Sequence, residues 1–374
     1  MGDEAAIAGS RLFVLVFAAF YWSPVQQILD SKYSMLLSQM ILDRHSVDLK
    51  LAEPGGFSNP GAANLYQAVA VNGRLLYYMP WGGSILALPA VAALNVAGIS
   101  AIGADGHYNP VGEAEIQRIM APLLMAAMIW LIFRTALLAG LPVSWALVIA
   151  LGTAFGTQVW STTSRALWSL TWLVTLLTLV IWILMRCEAG KRRFRPILTA
   201  TLLSWMYFVR PTASTAIVAI SVYVLIAYPA ALRAYIITGL IWLGAFAACS
   251  LYFFGTALPP YYRMTWWFSV SQARHRMLGL LVSPSRGLLI YVPVVIFVLY
   301  LVVRYWKDLK HKRLAIVALA AIGANLTMVS MLMLWWGGWS YGPRELTDTI
   351  PFYALLAMLG CRAFLDDSSI GLQR

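Results

Sequence analysis

Apolar runs of about 20 residues recur along almost the whole chain, and that recurrence constrains the fold more than any motif. A run of that length with few charges can cross hydrocarbon only as a helix, because its backbone groups must be satisfied within the segment. Candidate spans lie at 11–29, 119–139, 141–159, 167–186, 196–210, 212–229, 232–254, 286–304, 314–336 and 349–365. Of the 374 residues 61% are hydrophobic and 11% charged, too much apolar surface for a soluble domain to hide. The expected fold class is all-α: one polytopic transmembrane helical bundle over residues 1–374 with about ten spans.

Charge placement sets the expected orientation. The net charge of +12 is dispersed among the apolar spans, which fits cytoplasmic loops and speaks against a nucleic-acid partner. The two most basic short segments, Arg186 to Arg195 and Arg304 to Arg313, are expected inside. The first span then runs outward only if the apolar stretch 81–98 does not cross, so that stretch is read as an interfacial helix. Both termini are expected inside; the competing topology has eleven crossings with the N-terminus outside. Two long outer loops follow, 30–118 and 255–285, and long loops are where function concentrates. Asp3 and Glu4 with no small-residue cleavage site mark a retained first span. Cys187, Cys249 and Cys361 are isolated, the histidines at 45, 107, 275 and 311 dispersed, so neither disulfide nor zinc is expected. Glu53 to Gly61 reads as a turn-rich loop.

Asp30, in Asp30-Ser31-Lys32-Tyr33, is expected where the first span emerges. Partial burial there would raise its pKa and suit it to general-base work; the alternative is an interfacial aspartate that stops the span and caps a helix. Tyr33 to Leu42 has helical periodicity, and Asp43, Asp48 and Glu53 are expected to be solvated. Arg165, Arg210, Arg263, Arg274, Arg276, Arg286 and Arg344 fall at outer span ends, where positive-inside bias disfavours them. A phosphate or diphosphate ligand would explain them, as would snorkelling to lipid phosphates. Arg210, Arg286 and Arg344 are the preferred phosphate contacts, with Arg286 expected to open a helix whose free amides also favour an anion. Trp335-Trp336-Gly337-Gly338-Trp339-Ser340-Tyr341-Gly342-Pro343-Arg344-Glu345 reads as a binding loop at headgroup depth. Tyr33, Arg165, His275, Trp339 and Tyr341 are further candidate contacts. There is no P-loop, nucleophile elbow, zincin or Rossmann motif, and no D-x-D acid pair, so neither a cofactor nor a bound metal is expected. The lack of acids at mid-span depth speaks against an ion-coupled transporter.

These residues resemble the pattern of the GT-C superfamily of integral-membrane glycosyltransferases, in particular bacterial relatives of the polyprenyl-phosphate-mannose protein mannosyltransferase and aminoarabinose transferase type. The matching pieces are Asp30-Ser31-Lys32-Tyr33, Tyr77-Tyr78-Met79-Pro80-Trp81-Gly82-Gly83, Gly156-Thr157-Gln158-Val159-Trp160-Ser161, Arg210-Pro211-Thr212, Phe254-Gly255-Thr256-Ala257-Leu258-Pro259, Gly279 to Leu289, and Trp336 to Arg344. The resemblance implies inverting transfer of a hexosyl or pentosyl group from a polyprenyl-phosphate donor to an acceptor on the outer face of a bacterial inner membrane. It implies Asp30 as the acid that deprotonates or orients the acceptor and the arginines as holders of the donor phosphate. Family members often carry a second acid beside the first; here Ser31 follows. The alternatives are a transporter or flippase of an anionic lipid-linked substrate, and a non-catalytic membrane scaffold.

Overall fold

The computed structural model describes residues 3–52, 66–263, 268–338 and 340–371; the turn-rich stretch from Glu53 to Gly61 lies outside them. Helices dominate: α1 (Asp3–Tyr21), α2 (Ser34–Arg44), α3 (Gly82–Val96), α4 (Pro110–Leu138), α5 (Val143–Phe155), α6 (Ser169–Glu188), α7 (Pro196–Val209), α8 (Ser214–Ala227), α9 (Leu232–Phe254), α10 (Ala273–Val282), α11 (Leu288–Tyr291), α12 (Val294–Arg304), α13 (Lys312–Ser330) and α14 (Ile350–Gly371). Among the described residues, six helical segments are long and apolar enough to cross a membrane: those of α1, α4, α6, α9, α13 and α14. Shorter apolar helices (α3, α5, α7, α8 and α12) accompany them.

The main core lies where α4 packs against α1, α5 and α6, and extends to α7, α8, α13 and α14. On α4, Met125, Met128, Ile129, Ile132, Phe133 and Ala136 recur every three or four residues and are buried, forming the inward stripe of a 3.6-residue period. Small side chains (Ala126, Ala146, Ala150) let the helix backbones approach, which matters in lipid, where packing rather than water exclusion drives association. On α9, by contrast, only Tyr235 and Ser250 are buried. An apolar helix exposed nearly all round is stable in lipid and not in water.

Several boundaries differ from the sequence expectation. The first helix ends at Tyr21, because Ser23 precedes Pro24 and pre-proline residues avoid helical backbone. Asp30 is therefore held by a loop rather than by a helix end. The run 286–304 is split into α11 and α12 at Val292-Pro293 for the same reason. Helix α13 stops at Ser330, where the Arg276 guanidinium donates to the carbonyls of Met331 and Leu332 at 3.3 Å each. The last span is preceded by a 3-10 turn, Arg344–Thr349.

The first long loop is folded. Expected helices appear as α2 and α3, together with an unexpected hairpin, β1 (Ala68–Val71) and β2 (Arg74–Tyr77), paired Ala68 to Tyr77 through Val71 to Arg74. Its two-residue Asn72-Gly73 turn has both residues at positive φ, the twist that hairpins favour. Glu113, buried in the first turn of α4, accepts from the backbone N–H of Tyr33 (3.0 Å) and Met35 (2.9 Å) and from the Tyr108 hydroxyl (2.6 Å). It caps α2 from another element and ties the loop to the bundle. Asp48, expected to be solvated, instead accepts from the amides of Leu75 (2.9 Å) and Lys50 (3.1 Å) and anchors the hairpin.

Candidate functional site

A cavity of about 950 Å³ opens at one end of the bundle. Its walls come from the first loop, the start of α3, the start of α6, the α7–α8 junction, the segment after α9 and the loop before α14. Asp30, Arg210 and Arg344 all line it. Both strongly basic segments lie at the other ends of the same helices, after α6 and before α13.

Asp30 is fixed by the hydrogen bonds of its loop. Its carbonyl accepts from the Tyr77 hydroxyl (3.0 Å), the neighbouring Leu29 carbonyl from Gln67 (3.0 Å), and the Ser31 carbonyl from Gln117 (3.1 Å). The Asp30 carboxylate accepts from the Tyr66 hydroxyl at 2.9 Å and pairs with Arg344. Burial pushes this carboxyl up, but the charge and hydrogen bond of Arg344, the Tyr66 hydrogen bond and the Arg210 charge outweigh burial. The group therefore lies below its ordinary 3.8, opposite to the rise expected from burial alone. Burial and the Asp30 charge raise the Tyr66 phenol, which keeps it a donor.

Arg344 stands over the Trp168 ring, 3.9 Å from its centroid, and donates to the Gly337 carbonyl at 3.3 Å. Gly337 and Gly338 both have left-handed backbone, which turns successive carbonyls apart. The second faces Arg286, whose guanidinium donates to Gly338 at 2.7 Å and Gly342 at 3.5 Å. Arg286 thus braces the loop from behind and does not line the cavity.

Arg210 follows the end of α7, where the Tyr262 hydroxyl bonds to the carbonyls of Tyr207 and Phe208. Its guanidinium is buried and meets Glu345 at 2.6 Å, Asp348 at 3.2 Å, Thr212 at 2.8 Å and Ser169 at 3.3 Å. The 3-10 geometry explains the double pairing: residues three apart eclipse, so Glu345 and Asp348 present one face to Arg210 while Arg344 turns toward Asp30. Glu345 also lies 3.9 Å from Arg344. Asp30, Arg344, Glu345, Arg210 and Asp348 form one alternating chain of charge. Three carboxylates against two guanidinia make the resting site no simple cationic pocket.

The remaining candidates sit elsewhere. Tyr33 is buried under Tyr108. Arg165 stacks on Trp160 and bonds its carbonyl and Ser23, stapling the chain after α1. His275 is exposed on α10, and Tyr341 is exposed against Tyr291. None lines the cavity, and Trp339 lies outside the described residues. Sequence reasoning missed Tyr66, Asp348 and the bridging part of Glu345; the only advance signal was two acids three residues apart at a span end. The buried polar groups Ser31 Oγ, Ser84 Oγ and Trp172 Nε1 lie in lining residues without partners among the described residues, donors suited to a hydroxyl-rich ligand. Among the described residues no cluster of three metal-ligating side chains forms. Comparison of the chain with protein-family models, curated proteins and solved structures returns no match.

Proposed function

We propose that the protein transfers a sugar from a polyprenyl-phosphate donor to an acceptor hydroxyl at this cavity. The observation that carries the reading is the meeting of Asp30, Arg210 and Arg344 in one cavity, although they are far apart in sequence. This reading takes the shorter apolar helices α5, α7, α8 and α12 as crossings beside the six long ones. With the basic loops inside, the cavity faces outward, as in the envelope transferases that the sequence resembles.

In this reading the donor phosphate takes Arg344 from Asp30, exchanging one anion for another. Released, Asp30 regains basicity and accepts the acceptor's hydroxyl proton. The acceptor oxygen then bonds to the anomeric carbon as the carbon–oxygen bond to phosphate breaks, inverting that carbon. The electron pair leaves on the polyprenyl phosphate, stabilised by Arg344 with Arg210 behind Glu345. Neither a metal nor a cofactor is needed for this sequence.

The test is donor turnover by purified protein with a panel of polyprenyl-phosphate sugars, comparing wild type with Asp30→Asn. The expected result is product from wild type and a loss of at least roughly 100-fold in the folded variant. Equal turnover by Asp30→Asn would sink the assignment of the base. Movement of labelled lipid across vesicles without a new glycosidic bond would favour transport instead.

A further inference from the structure

A second concave site lies at the opposite end of the bundle, where α6 ends and α7 begins. It is a cleft of about 210 Å³. Arg186, Arg192, Arg193 and Arg195 line it with Trp182 and apolar side chains. Leu179, Trp182, Ile183 and Arg186 recur at helical spacing and share one face of α6. The chain then folds back: the amides of Lys191 and Arg192 bond to the Arg186 carbonyl at 2.9 and 3.2 Å. That return brings three more arginines to the same face.

The charge is unmet. Among the described residues, none of the four guanidinia has an ion pair or a side-chain hydrogen bond. Arg186 is held over the Trp182 ring, 4.5 Å from its centroid. The nearby acid, Glu188, is used elsewhere, accepting from the Tyr223 hydroxyl at 2.5 Å and facing His311 at 3.5 Å. In the other basic segment Lys310 pairs with Asp366 at 3.0 Å, and Lys312 donates to the Lys307 carbonyl at 2.5 Å. A bias toward positive loops needs charge on that side of a membrane but no cleft. Four guanidinia around one concavity, three of them exposed, suit an anion.

Apolar surface continues from the cleft. Ile197 and Leu198, in the first turn of α7, are exposed, and Leu179 and Ile183 are partly exposed on α6. A soluble phosphate would use the guanidinia alone, whereas a phospholipid would use both surfaces. We propose that this cleft binds the phosphate headgroup of an anionic lipid, with its acyl chains lying along α6 and α7. The proposal rests on the membrane-edge position of the 186–195 segment and is independent of the transferase reading.

Native mass spectrometry of the full-length protein, released from detergent with added phosphatidylglycerol or phosphatidylcholine, tests it. Wild type should retain phosphatidylglycerol preferentially. Arg192 and Arg193 are exposed, so R192Q/R193Q should fold, with an unchanged melting temperature, and lose retention by roughly 20-fold. R193Q alone should lose roughly fivefold and serves if the double variant folds poorly. K307Q/K310Q, in the other basic segment, should retain lipid as wild type does. Equal retention of both lipids, equal loss in K307Q/K310Q, or inorganic diphosphate bound without phosphatidylglycerol would each overturn the proposal.

Discussion

Replacing Arg210 by Met should destabilise the protein far more than the net value of its ion pairs suggests. Arg210 and Asp348 are each 5% exposed and Glu345 14%. At contact distances each attraction is worth about 4 kcal/mol gross at an effective dielectric of about 20. Desolvation costs several kcal/mol per ion, so the intact trio contributes little net stability. Removing only the cation leaves Asp348 buried with no opposite charge beside it, and Glu345 with only Arg344, 3.9 Å away. The expected loss is about 3–5 kcal/mol. Converting all three together, R210M/E345Q/D348N, should recover most of it. The measurement is reversible unfolding in mixed micelles, monitored by tryptophan fluorescence, for wild type, the single variant and the triple variant. A single variant within about 1 kcal/mol of wild type, or a triple variant as unstable as the single, would refute the charge-chain argument.

Three further outcomes are expected. Because the Asp30 carboxyl lies below its ordinary 3.8, its pair with Arg344 contributes stability above that value and loses it as pH falls through the lower folded-state pKa. The wild-type melting temperature should therefore fall more steeply below about pH 4 than that of Asp30→Asn; parallel curves would count against the pair. At Gly82 an added Cβ would lie 2.5 Å from the Phe208 backbone carbon and oxygen. Gly82→Ala should thus push α3 off α7 at a cost of about 1–3 kcal/mol, read by melting temperature, with unchanged melting as the adverse result. Glu113→Ala strands two backbone donors and the Tyr108 hydroxyl, at about 1–3 kcal/mol for each buried group left unpaired. Hydrogen exchange should show α2 opening first, and full protection there would contradict its capping by Glu113.

The helical bundle was legible because a membrane-length apolar run needs no tertiary partner to be recognised. The helices at the start and middle of the first loop were legible too, through periodicity and the Pro80-Trp81-Gly82-Gly83 approach. The hairpin was overlooked although Asn72-Gly73 between short apolar runs is its signature; the surrounding loop's turn-rich composition masked it. Helix ends were misplaced where proline acted locally, at Pro24 and Pro293. Asp30 and Arg344 stood out as charges at span edges, but their pairing joins residues more than three hundred positions apart. Nothing local reveals such a contact. Glu113 was hidden for the same reason: its partners are backbone groups of another element, invisible in residue type.

The alternating charges also bear on biosynthesis. Arg210 precedes α8, but both of its carboxylate partners lie in the 3-10 turn Arg344–Thr349, which is made only after α13. Until then the Arg210 guanidinium lacks both of these counter-ions. The cavity consequently matures in one late event, when residues 344–348 dock and bring Asp30 and Arg210 into a common network. Docking of this segment therefore completes the charge network and the cavity wall together.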